Sequence, residues 1–165
     1  MPTFNDSMTE YKKQMQLGVI NQAYQGLMDY LLGLRNTLTT KHPEYAGSGS
    51  FYFGYMDMTY FPLLPPVLKQ RNLKIAIVFL HQEFRFELWL AATNKTVQKQ
   101  TWQALKAAGW EKYPLVESLA GRDAVIEHIL VDDPDFSDSD ALTQRIEAET
   151  LQFIHEIEDF LIHHS

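Results

Sequence analysis

Leu73-Lys-Ile-Ala-Ile-Val-Phe-Leu80, His81-Gln-Glu83, Phe84-Arg-Phe-Glu-Leu-Trp-Leu-Ala91 sets two β-rich runs back to back with almost nothing between them. That pattern predicts an antiparallel hairpin. With Gln82-Glu83 as the loop, His81 lies opposite Phe84, Phe79 opposite Phe86, Ile77 opposite Leu88 and Ile75 opposite Leu90. Side chains alternate between faces along a strand. One face therefore carries Ile75, Ile77, Phe79, Phe84, Phe86, Leu88 and Leu90 and is wholly apolar. The other pairs Leu80 with Arg85, Val78 with Glu87 and Ala76 with Trp89. A slip of one residue would move every side chain across the sheet, and the all-apolar face argues against it. The turn holds no Gly or Asn, so a tight primed turn is poorly encoded and a looser or bulged one is expected.

The mixed face carries the chemistry. Leu80, Val78 and Ala76 imply that something covers it. Arg85 and Glu87 are then partly buried or stand at the mouth of a cleft. Buried charges are normally paired, so Arg85 and Glu87 are expected to pair with each other or with a neighbour.

Composition bounds the answer. The chain has 165 residues, with 45% hydrophobic, 21% charged and 13% aromatic content, enough for one globular domain with a real core. The formal net charge of -7 disfavours non-specific nucleic-acid binding, which needs a basic surface, and attachment to an anionic membrane. There are no cysteines, which excludes a disulfide framework, a thiol nucleophile and cysteine-ligated zinc. No secretory signal pattern and no apolar run of membrane-spanning length is visible. A cytoplasmic location is the expectation.

Residues 1–7 are polar and expected to fray. Residues 8–40 read as helix, with Tyr24, Leu27, Met28, Leu31, Leu34, Arg35 and Leu38 at three- and four-residue steps. Gly18 divides a short first helix from a longer second one, and Pro43 ends the second. Residues 46–50 are a glycine- and serine-rich loop without the lysine of a phosphate loop. Residues 51–61 read as one long strand carrying Asp57 among aromatics, with Pro62–Pro66 breaking the chain after it. A basic cluster of Lys69, Arg71 and Lys74 leads into the hairpin. Beyond it, Thr93-Asn94 caps a helix with the stripe Val97, Thr101, Trp102, Leu105 and Ala108, which Gly109 stops. Residues 124–131 are β-branched and precede Asp-Asp-Pro, favouring a fourth strand. Residues 139–164 form an amphipathic helix burying Leu142, Ile146, Phe153, Ile154, Ile157 and Leu161, with Arg145, Glu147, Glu149, Glu156, Glu158 and Asp159 in water. The fold class is α+β: a four-stranded, mainly antiparallel sheet packed with helices in the order α-β-β-β-α-β-α.

Three constellations invite a chemical reading. Asp132, Asp133, Asp135, Asp138 and Asp140 crowd one loop, but a calcium loop starting at Asp133 would place Asp138 where glycine is required and Gln144 at the twelfth position. Capping of the last helix by Ser137, Asp138 or Ser139 explains them better. The six histidines show no His-x-x-x-His or Glu-x-x-His pair, so no metal is expected. Asp57, Arg85, Glu87, Trp89, Glu127 and His128 all fall on expected strands. Metal-dependent nuclease cores share this element order but need Glu-x-Lys, and here Glu87-Leu88-Trp89 puts Trp at the lysine position.

The segments Gln22–Leu31 (QAYQGLMDYL), Gly54–Phe61 (GYMDMTYF), Phe84–Ala91 (FRFELWLA) and Val131–Asp138 (VDDPDFSD) resemble an uncharacterised bacterial family of unknown function. The resemblance runs from about Tyr11 to Phe160. It implies a single-domain cytoplasmic protein, supports a strand at 124–131, and brings no catalytic residues with it.

The leading expectation is a ligand- or partner-binding domain whose site is the aromatic-lined mixed face: Tyr52, Tyr55, Asp57, Tyr60, Arg85, Glu87 and Trp89, with His128 beside them. No cofactor is expected. The plainer alternative has these residues as satisfied core and the surface mediating homodimerisation. The rival class is an enzyme, either a degenerate nuclease-like fold or an acid–base catalyst using Asp57, Glu87 or His128. An Arg85–Glu87 ion pair would favour a structural role. Two close carboxylates in a pocket would favour the enzyme.

Overall fold

The computed structural model describes residues 1–47 and 49–164. The glycine-rich loop at 46–50 includes Ser48, which lies outside the described residues. The chain divides into two compact units, Met1–Thr37 and Leu38–Ser165.

The first unit holds helix α1 (Phe4–Leu17) and most of α2 (Val19–Lys41). Residues 4–7 form the first turn of α1, where Thr3 and Asp6 make a reciprocal capping box that starts the helix at Phe4. Gly18 separates the helices as expected. Its φ of 81° is the left-handed conformation that a glycine adopts at low cost at a helix end.

The second unit is built on a five-stranded antiparallel sheet in sequential order. The strands are β1 (Tyr52–Phe53), β2 (Met58–Leu63), β3 (Leu73–Leu80), β4 (Arg85–Ala92) and β5 (Ala124–Asp132). Short helix α3 (Pro66–Gln70), α4 (Lys95–Ala107) and α5 (Ser139–His163) complete it. The β3–β4 register matches the expected one pair for pair, from Ile75↔Leu90 to Leu80↔Arg85. The connection is the four-residue turn His81–Phe84, and Phe84 takes a left-handed φ of 54° where no glycine is available.

Three expectations are corrected here. The sheet has five strands, because residues 51–61 are not one strand. They fold into a hairpin in which Tyr52 pairs with Tyr60 and Phe53 with Thr59. Gly54 is the reason: a Cβ there would collide with Asp57 Oδ1 and lie 2.9 Å from the Met58 carbonyl oxygen. The strand also does not stop at Pro62. It continues to Leu63, opposite Ile75. Proline is tolerated because β1 pairs only as far as Tyr60, leaving Pro62 on an edge. Finally, residues 66–70 form α3, and Arg71 beyond it donates to the Leu161 carbonyl near the end of α5, where a cation complements the free carbonyls.

The apolar face of the hairpin is the core. Ile75, Ile77, Phe79, Phe86, Leu88 and Leu90 are all buried, and Phe84 at the turn is exposed. Helix α5 covers this face, burying Leu142, Ile146, Phe153, Ile154, Ile157 and Phe160. Phe160 takes the place expected for Leu161, which is only half-buried. Asp138 caps α5 by accepting from the Ala141 amide, so one acid of the aspartate-rich loop is a cap. Glu147, Glu149, Glu156 and Glu158 are half-buried rather than in water. Glu147 explains itself by pairing with Lys41 at 3.2 Å.

Candidate functional site

Strand alternation puts Arg85, Glu87 and Trp89 side by side on the face turned away from α5. Glu87 is only 3% exposed. One carboxylate oxygen accepts from Arg85 Nε at 2.7 Å and the other from Trp89 Nε1 at 2.8 Å. Of the two expected pairings, with each other or with a neighbour, the structure has Arg85 with Glu87. The indole bond was not anticipated, although the two-residue step from Glu87 to Trp89 was its signal. Glu87 first, through its hydrogen bond, holds the Arg85 guanidinium above its ordinary pKa. With both oxygens committed, Glu87 is a structural anchor that fixes the plane of the Trp89 ring.

Only the floor of this face is buried. Ala76 and Val78 are covered, while Met58, Tyr60, Leu80, Arg85 and Trp89 are half-exposed and Ile129 is 47% exposed. The covering layer expected from Leu80, Val78 and Ala76 is therefore made by the neighbouring aromatic and arginine side chains. A cleft of about 390 Å³ opens here between Met58, Tyr60 and Trp89, above Ala76 and Ala91, with Lys74, Arg122, Asp123 and Glu127 at its border. A second hollow of about 350 Å³ shares Met58 and Trp89 and reaches Tyr55 and Asp57.

The border loop is pinned. Lys95 at the start of α4 donates to the Leu119 and Arg122 carbonyls, and buried Gln98 donates to those of Arg122 and Ala124. Gly121 permits the bend with a φ of 72°. Arg122 then reaches Glu127 at 3.2 Å. Burial raises the Glu127 pKa, with Arg122 acting in the opposite direction. Burial likewise raises that of Tyr60, helped by the nearby Asp123 carboxylate.

The expected residues divide as follows. Tyr60 and Trp89 wall the cleft, and Tyr52 stacks on Tyr60 with ring centroids 5.0 Å apart. Arg85 and Glu87 lie beside Trp89. Tyr55 and Asp57 are not on a strand but on the exposed turn before β2, and Tyr55 is 100% exposed. Asp57 contributes its backbone carbonyl to the His81 amide. His128 is misplaced: it pairs with Leu88, on the core face, and its ring lies 4.6 Å from Tyr113 and 6.1 Å from Phe153. It is opposite the cleft because alternation on β5 turns Glu127 and Ile129 outward. Lys74, Arg122 and Asp123 were not on the candidate face. Lys74 was legible from its parity with Ala76, but the 121–123 loop follows an irregular stretch with no periodicity to read.

A family model described as "Domain of unknown function (DUF7000)" matches residues 4–161. The chain belongs to this family. No curated protein and no solved structure matches it. The DUF7000 match runs through both compact units, so the hairpin, the cleft and its border loop all lie within the family domain. No helix among the described residues is long and apolar enough to cross a membrane.

The two histidines near the sheet give a pH test. Burial is the main influence lowering the pKa of His128, with Glu149, Glu87 and Glu156 opposing it. It also lowers that of His81, with Asp57 opposing. A folded pKa below the ordinary imidazole value of 6.5 means that the unfolded chain binds the proton more tightly. Their contribution is complete above that value and is lost as pH falls through the folded one. Thermal melts are expected to move down between pH 7 and 5, and His128→Phe should shrink that movement. An unchanged pH slope in the variant would remove His128 from the account.

Proposed function

We propose that this domain binds a small organic molecule in the cleft bordered by Tyr60 and Trp89. The observation that carries this reading is an aromatic-walled hollow on an uncovered sheet face, of a size used for small ligands. Its principal ring is locked in place by Glu87, so little order is lost on binding. A catalytic reading finds less support, since Glu87 has no free oxygen and Asp57 stands on an exposed turn.

The same reading takes the protein as cytoplasmic and bacterial, in keeping with the family resemblance of its sequence. It has no nucleic-acid partner, since a net charge of -7 repels phosphate backbones. Exposed Phe53, Tyr55 and Met56 beside the β1–β2 turn support homodimerisation through that tip.

A thermal-shift screen against a metabolite library, run on wild type and Trp89→Ala, tests the proposal. Hits that disappear in Trp89→Ala are expected. If every hit binds the variant as well as it binds wild type, the cleft is not the site.

A further inference from the structure

The border of the cleft carries both signs of charge: Lys74 on β3, and Asp123 and Glu127 with Arg122 on the side of the pinned loop and β5. Lys74 projects from β3 beside Ala76, on the cleft side of the strand. Its ammonium makes no hydrogen bond or ion pair among the described residues. Asp123 lies on the pinned loop, close enough to Tyr60 to raise the pKa of its hydroxyl, and its carboxylate is likewise unpaired among the described residues. Glu127 adds a second carboxylate, half-buried and paired through one oxygen with Arg122 at 3.2 Å. Between these charges lie the apolar surfaces of Trp89 and Ala76.

We infer that the ligand is a zwitterion, a free α-amino acid with a large apolar side chain. Lys74 would take its carboxylate, Asp123 and Glu127 its ammonium, and Trp89 its side chain. Charge complementarity selects this class. A purely anionic ligand would meet the two carboxylates, and a purely cationic one would meet Lys74. An uncharged apolar one would leave Lys74 and Asp123 without a partner, and such groups reject ligands that cannot satisfy them. The ammonium would also lie beside the faces of Tyr60 and Trp89, where a cation is favoured. The hollow of about 390 Å³ accommodates one such molecule. The inference rests on the cleft being the binding site, as proposed above, and adds the chemistry of its occupant.

Isothermal titration with L-phenylalanine, phenethylamine and 3-phenylpropionate separates the two claims. These probes share a ring and differ in the charges they carry. In wild type, phenylalanine is expected to bind at least about tenfold more tightly than either analogue, the scale of one charge-assisted hydrogen bond. Lys74→Met should remove its advantage over phenethylamine, and Asp123→Asn combined with Glu127→Gln its advantage over 3-phenylpropionate. All three positions are at the surface or half-buried, so these variants should fold, which circular dichroism checks.

Equal binding of an analogue and phenylalanine in wild type, still abolished by Trp89→Ala, would overturn the zwitterion and leave the cleft standing. Absence of binding by phenylalanine, and by L-leucine and L-methionine run alongside, would also overturn it. The library screen would then decide the cleft on its own. Binding of phenylalanine that survives Trp89→Ala undisturbed would overturn both.

Discussion

Replacing Glu87 with Gln is expected to lower unfolding stability by about 2–3 kcal/mol. Breaking a buried ion pair from one side costs about 3–5 kcal/mol. The figure is reduced here because the Arg85 side chain is 30% exposed and can turn its charge to water. The amide keeps one oxygen to accept from Trp89, but its NH2 group faces Arg85 Nε, donor against donor. In a chain of this size the melting temperature should fall by roughly 5–10 °C. Asp57→Asn, on the exposed turn, should stay within about 0.5 kcal/mol of wild type. Changing both partners, Arg85→Met with Glu87→Leu, should recover part of the loss, because no charge is then left unpaired. A Glu87→Gln protein as stable as wild type would show that the carboxylate does not anchor the face. It would make Glu87 available as a chemical group again. The variant should also weaken any Trp89-dependent binding, since the acceptor of the indole is no longer held in place by the arginine.

The second large effect is on the opposite side of the same strands. Phe79→Ala is expected to cost about 3–5 kcal/mol, the range for deleting a buried aromatic side chain. Phe79 is 1% exposed. Its ring centroid lies 5.0 Å from Phe86, 5.2 Å from His81, 5.5 Å from Phe84 and 6.3 Å from Phe136. These rings join β3, β4, the hairpin turn and the loop leading to α5. Their removal opens a cavity that no neighbouring small side chain can fill. Equilibrium denaturation by urea reads this directly. A loss below about 1 kcal/mol would mean that the cluster relaxes freely and does not hold the hairpin tip. Ligand binding in the Phe79→Ala protein, below its unfolding range, should change little, because Phe79 and Trp89 point to opposite faces.

These two residues show what alternation makes legible. Leu73–Ala91 contains enough consecutive apolar residues of one parity that a single register buries them all, and the observed pairs agree with it. The placing of Arg85 and Glu87 on one face followed from the same parity. Helix ends were legible where a cap or glycine marks them, as at Gly18, Asn94 and Asp138. The hairpin at 52–63 was hidden because its aromatic residues alternate without interruption through the turn. The one sign of it was Gly54, a residue that also occurs in bent strands.

The site was legible only in part, for a different reason. Periodicity places Glu127 and His128 on opposite faces of β5, but it does not say which face joins Trp89. That depends on the β4–β5 register, which shifts between Phe86 and Glu87, so that Val131 and Ile129 are successive partners. The loop holding Arg122 and Asp123 has no pattern of its own. Gln98 and Lys95, far along the chain, set its position.

By itself the sequence determined an α+β chain, a hairpin with one apolar face, and Glu87 beside Arg85 on the other. These are properties of near neighbours along and across two strands, and their period of two is a local constraint. Only the tertiary structure decided that α5 takes the apolar face and that the mixed face stays open. It also decided that Lys74, Asp123 and Glu127 gather around Trp89 there. Which surface a helix covers, and where a loop without regular structure is tied, depend on contacts between distant segments that no local pattern encodes.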